Sequence, residues 1–137
     1  MIRPVVTKRF FLRQPSTEAT QADLDIAQDL ADTLEAHRNG CVGMAANMIG
    51  QRKRIIAVID EQGSVLVMLN PKLEEATGPY ETEEGCLSLE GLRTTQRYAR
   101  VTVSWQDRQF ESHKGRFSGR VAQAIQHELD HCDGILI

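Results

Sequence analysis

The chain has 137 residues, 41% of them hydrophobic and 26% charged, which suits a single soluble globular domain over residues 1–137 and leaves no length for a second full-sized one. Sixteen Lys and Arg against nineteen Asp and Glu give a formal net charge of -3, which argues against nucleic acid as the main ligand while remaining compatible with a local basic patch. The odd set of three cysteines, Cys41, Cys86 and Cys132, with no signal-peptide pattern, points to a reducing, cytoplasmic setting, and apolar runs such as Val65 to Leu69 are too short to span a bilayer.

After an irregular start containing Pro4 and Pro15, Leu24, Ala27, Leu30, Ala31 and Leu34 recur at helical spacing and predict a helix from about Thr20 to Arg38, stopped by Asn39-Gly40. Arg54 to Asp60 and Ser64 to Asn70 are β-branched, apolar runs separated by Glu61-Gln62-Gly63 and closed by Pro71, the pattern of a hairpin. Two short strands are expected between Lys72 and Leu89, around Gly78-Pro79. Arg100 to Gln106 alternates Val101, Val103 and Trp105 with Thr102 and Ser104, as a half-buried antiparallel strand does. Ser118-Gly119 opens a last helix from about Arg120 to Cys132, which Asp133-Gly134 ends. Helix, several strands and helix make an α+β domain, with antiparallel strands packed around the C-terminal helix.

That last helix contains His127-Glu128-Leu129-Asp130-His131, an H-E-x-x-H pattern. At about 100° per residue the two histidines lie about 40° apart around the axis, so both imidazoles reach one metal ion, and Glu128 lies about 60° further round, beside the ion without having to bind it. A catalytic site of this kind needs a third protein ligand and an open position. Cys86, Asp130, Asp133, Cys132 and His113 are the candidates. Asp130, three residues after His127, is better placed as a supporting carboxylate, and Cys86, in Glu84-Gly85-Cys86-Leu87-Ser88, offers a thiolate from a strand. Ile125 and Leu129, at i and i+4, are the expected core contacts of the helix.

Three separated segments resemble the motifs of the peptide deformylases, metalloenzymes that remove the formyl group from the N-terminal formyl-methionine of new bacterial polypeptides. Cys41 to Gly50 (CVGMAANMIG) is similar to their G-x-G-x-A-A-x-Q, Glu84 to Ser88 to their E-G-C-L-S, and Gln126 to His131 to their Q-H-E-x-D-H, in family order. The resemblance implies Cys86, His127 and His131 as metal ligands, Glu128 as general base, and the Leu87 backbone N–H as an oxyanion donor. It implies one divalent ion, ferrous iron in cells, while a thiolate with two imidazoles also suits zinc, nickel or cobalt. The implied substrate is an N-formylmethionyl peptide lying as an added strand between the first two motifs. There Gly43 and Gly85 leave room for backbone contacts and Val42 walls the methionine pocket.

The first motif departs from the family at Met48, which stands where deformylases have a glutamine, and loss of one oxyanion donor costs about 10²- to 10³-fold in rate. Cys41 replaces the motif's first glycine and reads as a packing residue near the site. Because the sequence stops at Ile137, the resemblance implies weakened ribosome docking by the helical tail that many relatives carry. Three readings follow. One is a working deformylase, slow or with altered substrate preference. Another is a catalytically weak homologue that binds metal and peptide without efficient turnover. The third is an unrelated peptidase or amidase activity at the same site. Glu128 favours the first and third, Met48 the second.

Overall fold

Apolar side chains on consecutive residues decide where this chain is thickest. In the computed structural model, which describes residues 1–137, strand β2 (Ile55–Ile59) points Ile55 and Ala57 to one core cluster and Ile56 and Val58 to another. A strand buried on both faces must be apolar at every position, which is why this run does not alternate. Helix α2 (Leu24–Ala36) covers the first face with Ala27, Leu30, Ala31 and Leu34, and helix α3 (Gly119–Cys132) covers the second with Val121, Ala122, Ile125 and Leu129. The expected core contacts Ile125 and Leu129 are both buried.

The sheet has five strands, all antiparallel, in the order β1 (Gly43–Ala45), β2, β3 (Val65–Cys86), β4 (Leu89–Gln106) and β5 (Ser112–Ser118). The β2–β3 hairpin is the expected one, and Asp60 Oδ1 accepts the N–H groups of Gln62 and Ser64 across its turn. Beyond it the chain differs from the reading of its punctuation. Pro71 does not close the strand: β3, 22 residues in all, runs through it, with register shifts on either side of Lys72–Leu73. Asn70, at φ 51°, turns its side chain to bridge Ala19 N–H, Ala19 C=O and Gln106, so the bulge keeps its polar groups paired.

Gly78-Pro79 also lies within β3, with Pro79 opposite Tyr98, and the two short strands expected there are one. Proline is tolerated because this half of β3 is bonded to β4 alone. The strand expected from Arg100 starts at Leu89, so β3 and β4 form a long two-stranded arm whose tip turns at Leu87-Ser88. Three further elements have no counterpart in the sequence pattern: β5, whose polar SHKGRFS carries little apolar signal, the short β1, and the four-residue helix α1 (Arg9–Leu12).

Two junctions place the functional segments. A 3-10 turn (Ala46–Ile49) follows β1 and delivers Met48 to the core, and Asn47 donates from Nδ2 to the His131 carbonyl at 3.0 Å, tying that turn to α3. At the far end of α3, Gly134 lies so close to α1 that a Cβ there would sit 2.3 Å from the Arg13 carbonyl oxygen, a contact only glycine permits.

Ile125, wholly buried between α3 and the sheet, is where this packing is tested. Ile125→Ala should lower unfolding free energy by about 2–5 kcal/mol, read as a shift of the urea midpoint with little change in slope. A cost below about 1 kcal/mol would mean that the α3 face is not the core contact described here.

Candidate active site

The tip of the β3–β4 arm meets the C-terminal half of α3 over a cavity of about 530 Å³, lined among others by Cys41, Val42, Gly43, Met48, Gly85, Cys86, Leu87, His127 and Glu128. Every substrate-facing residue expected from the sequence borders this one space. Cys86 Sγ lies 3.4 Å from His131 Nε2, which lies 3.0 Å from His127 Nε2. The three ligand atoms fall within 4.8 Å of one another. One strand end and one helical turn thus aim a thiol and two imidazole nitrogens at a common point.

The other third-ligand candidates are engaged elsewhere. Asp133 pairs with Arg54, His113 pairs with Asp107 and stacks on Trp105, and Cys132 is buried, its thiol pushed up to about 12 by desolvation. Cys41 stays on the cavity wall, where its thiol donates to the Gly43 carbonyl at 3.0 Å and burial raises it to about 11. Asp130 does not reach either histidine. It accepts from Arg97 at 2.8 Å instead, one step removed from the imidazoles.

The carboxylate that orients the site is Glu84, for which the sequence pattern indicates no role. Its Oε1 lies 2.7 Å from His127 Nδ1, which turns Nε2 of that ring toward Cys86 and His131. Arg97 forks onto both Glu84 oxygens, Gln123 adds a 2.8 Å bond to Oε2, and Arg97 itself is only 4% exposed. Burial on its own would raise the Glu84 carboxyl, but the hydrogen bonds from His127, Arg97 and Gln123 outweigh it and hold the group at about 2. Burial likewise opposes a charge on His127, yet its bonds to Cys86 and Glu84 raise it to about 10. His131, desolvated and facing His127, falls to about 3. The only sequence signal for Glu84 was its position two residues before Cys86. Arg97, within the polar run Thr94 to Arg100, had none.

Glu128 is 4% exposed, and its Oε1 has no partner in the protein. Desolvation raises it to about 7, the range in which a carboxyl group both takes and returns a proton near neutrality. Its pocket exists because residue 43 is glycine: a Cβ there would stand 3.0 Å from Glu128 Oε2 and 3.2 Å from its Cγ. Gly85 is backed in the same way by Leu92, 3.3 Å from where its Cβ would be. Leu87, in the turn at the arm's tip, is 42% exposed, and its N–H donates to no acceptor in the protein. Met48 is buried on the cavity floor, where its sulfur lies 3.5 Å from the Ala45 N–H.

Replacing Glu84 by glutamine keeps its shape and removes its charge. Glu84→Gln should weaken metal binding roughly 10- to 100-fold, measured by competition with a chelator. The wild-type carboxyl sits below its ordinary 4.5, so its stabilisation is present above that pH and lost as pH falls toward 2. Chelated Glu84→Gln should therefore lose less stability than chelated wild type across that window, by denaturant titration. Unchanged metal affinity would remove Glu84 from the site.

The model of the family described as polypeptide deformylase matches residues 3–137. A peptide deformylase of Clostridium beijerinckii is 49% identical over 137 residues, covering 100% of both chains, and one of Halothermothrix orenii is 37% identical over 125 residues, covering 90% of this chain and 80% of its own. Among solved structures, a class I type b peptide deformylase of Acinetobacter baumannii bound to Met-Ala-Ser superposes with TM-score 0.87 at 29% identity, over 99% of this chain and 97% of that one. A Legionella pneumophila peptide deformylase superposes with TM-score 0.88 at 33% identity, over 99% and 83%. Motifs, fold and full-length likeness agree, and the chain belongs to the peptide deformylase family, the metal-dependent hydrolases that remove the N-formyl group from new polypeptides.

Proposed function

We propose that Cys86, His127 and His131 hold one divalent metal ion and that Glu128 is the general base with which this chain deformylates N-formylmethionyl peptides. The observation that carries the reading is the convergence of Sγ and the two Nε2 atoms beside a buried, otherwise unpartnered carboxyl group. One soft thiolate with two imidazoles suits borderline first-row ions, and ferrous iron, zinc, nickel and cobalt all accept such a set. Ferrous iron is our choice for the cell, from the family's habit. The ion, when bound, supplies Lewis acidity toward the formyl carbonyl and makes water more acidic.

The remaining work falls to the chain. Glu84 takes the Nδ1–H of His127, so that a bound ion would have only the Nε2 proton of that ring to displace. Glu128 takes the proton from the attacking water and returns it to the departing amine. The N–H of Leu87, a residue that borders the cavity and whose N–H has no acceptor in the protein, donates to the oxygen that becomes negative as the formyl carbon turns tetrahedral. Val42, 41% exposed on the rim, and Gly43 and Gly85 on either side border the path of the peptide. We assign these roles to residues 1–137 acting as one domain, with nascent chains in the cytoplasm as substrate. No helix is long and apolar enough to cross a membrane. A ribosome contact is the natural setting for that substrate.

Glu128→Gln should abolish turnover of a formyl-methionyl tripeptide at full metal occupancy, with metal content measured on the same sample. Loss of the metal in a folded variant would show that Glu128 is a ligand instead. The second reading, a weak homologue that binds without efficient turnover, is favoured by Met48. Its thioether occupies the Ala45 N–H but offers no donor to the cavity. A glutamine at this position would accept that N–H through its carbonyl and present its amide. Met48→Gln should therefore raise kcat, by at most about 10²- to 10³-fold. An unchanged or lower kcat in the folded variant would show that the missing glutamine does not limit the enzyme.

A further inference from the structure

The charge of this chain is segregated. Residues 3–13 and 52–54 contain seven of its sixteen basic residues and no acidic one, leaving the remainder with nine basic and nineteen acidic residues. The two segments meet in space: the Arg52 guanidinium lies 5.7 Å from the Phe11 ring centroid, and the Thr17 N–H, just beyond α1, donates to the Arg52 carbonyl at 3.0 Å. Arg3, Lys53 and Arg54 spend their charge on Asp29, Asp23 and Asp133. Lys8, Arg9, Arg13 and Arg52 are exposed and have no carboxylate within ion-pair distance. Arg9 and Arg13, at i and i+4, share one side of α1, and Phe10, next to Arg9 and to the Phe11 that Arg52 covers, is 81% exposed, the most exposed of the large hydrophobic side chains.

We propose that this surface, Lys8, Arg9, Phe10, Arg13 and Arg52, binds single-stranded RNA. Unpaired cations track a phosphate backbone, and an exposed aromatic ring among them gives an unpaired base a face to stack on, the combination that sequence-tolerant single-strand binders use. An anionic membrane would also attract the cations. Interfacial anchoring, however, needs a long apolar helix face, and α1 has four residues and one exposed ring. Single strands in a cell are chiefly RNA, so RNA is the occupant. The surface is distinct from the catalytic cavity, since none of its five residues lines that space.

The test uses the intact protein and a fluorescently labelled mixed-sequence 20-nucleotide RNA, read by anisotropy. Four phosphate contacts predict a log–log salt slope of about -3, so affinity should fall roughly 50-fold between 50 and 200 mM salt. Arg9→Glu with Arg13→Glu should cost at least tenfold in affinity. Phe10→Ala should cost a few-fold with the salt slope unchanged. Lys114→Glu with Arg116→Glu, exposed on β5, should leave RNA binding intact. All variants should keep the deformylation rate and melting temperature of the parent. The proposal is overturned if the parent shows no salt-dependent binding, if the β5 variant loses as much as the α1 variant, or if the protein binds phosphatidylglycerol vesicles and not RNA.

Discussion

The 2.7 Å bond between Glu84 and His127 Nδ1 is the constraint on which the site depends. It joins the end of β3 to the middle of α3, fixes which ring nitrogen faces Cys86, and places a negative charge where water is excluded. A buried carboxylate of this kind is tolerable only when its lone pairs are filled, and Arg97, Gln123 and His127 fill them. Arg97 in turn needs Asp130, the fourth residue of the H-E-x-x-H run. The pattern that looks from sequence like a local helical motif is therefore half of a network whose other half arrives on the β3–β4 arm.

The same economy of space governs Glu128. The helix brings it to the cavity, but it fits there because β1 passes at Gly43 without a Cβ in the way. Burial is what raises its proton affinity toward neutrality. Gly43, read from sequence as room for a peptide, is first of all room for the base. The turn after β1 then ties back to α3 through the Asn47–His131 hydrogen bond, so the first and third motifs are joined directly and the second borders the cavity from the arm.

Much of this was legible in the residues. Helical spacing located α2, start and stop signals located α3, and β-branched runs located the β2–β3 hairpin. The resemblance carried by H-E-x-x-H and E-G-C-L-S implied the three residues that converge, of which helix geometry alone supplies the two histidines. What was not legible follows from what sequence punctuation measures. Pro71 and Gly78-Pro79 are stop signals for an isolated strand, but in β3 a bulge held by Asn70 and a free edge absorb them. Strand β5 is an edge with an almost wholly exposed, polar surface, so it lacked the alternation that revealed β4. Glu84 and Arg97 are buried through each other, and a pair that is buried only because both members are present leaves no hydrophobic signature in either.

X-ray absorption on the zinc-loaded protein tests the central assignment most directly, because it counts the sulfur that distinguishes this site from an all-nitrogen or carboxylate one. One sulfur at about 2.3 Å and imidazole nitrogens at about 2.0–2.1 Å are expected, with the sulfur lost in Cys86→Ser. A first shell of nitrogen and oxygen alone in the wild-type protein would contradict it.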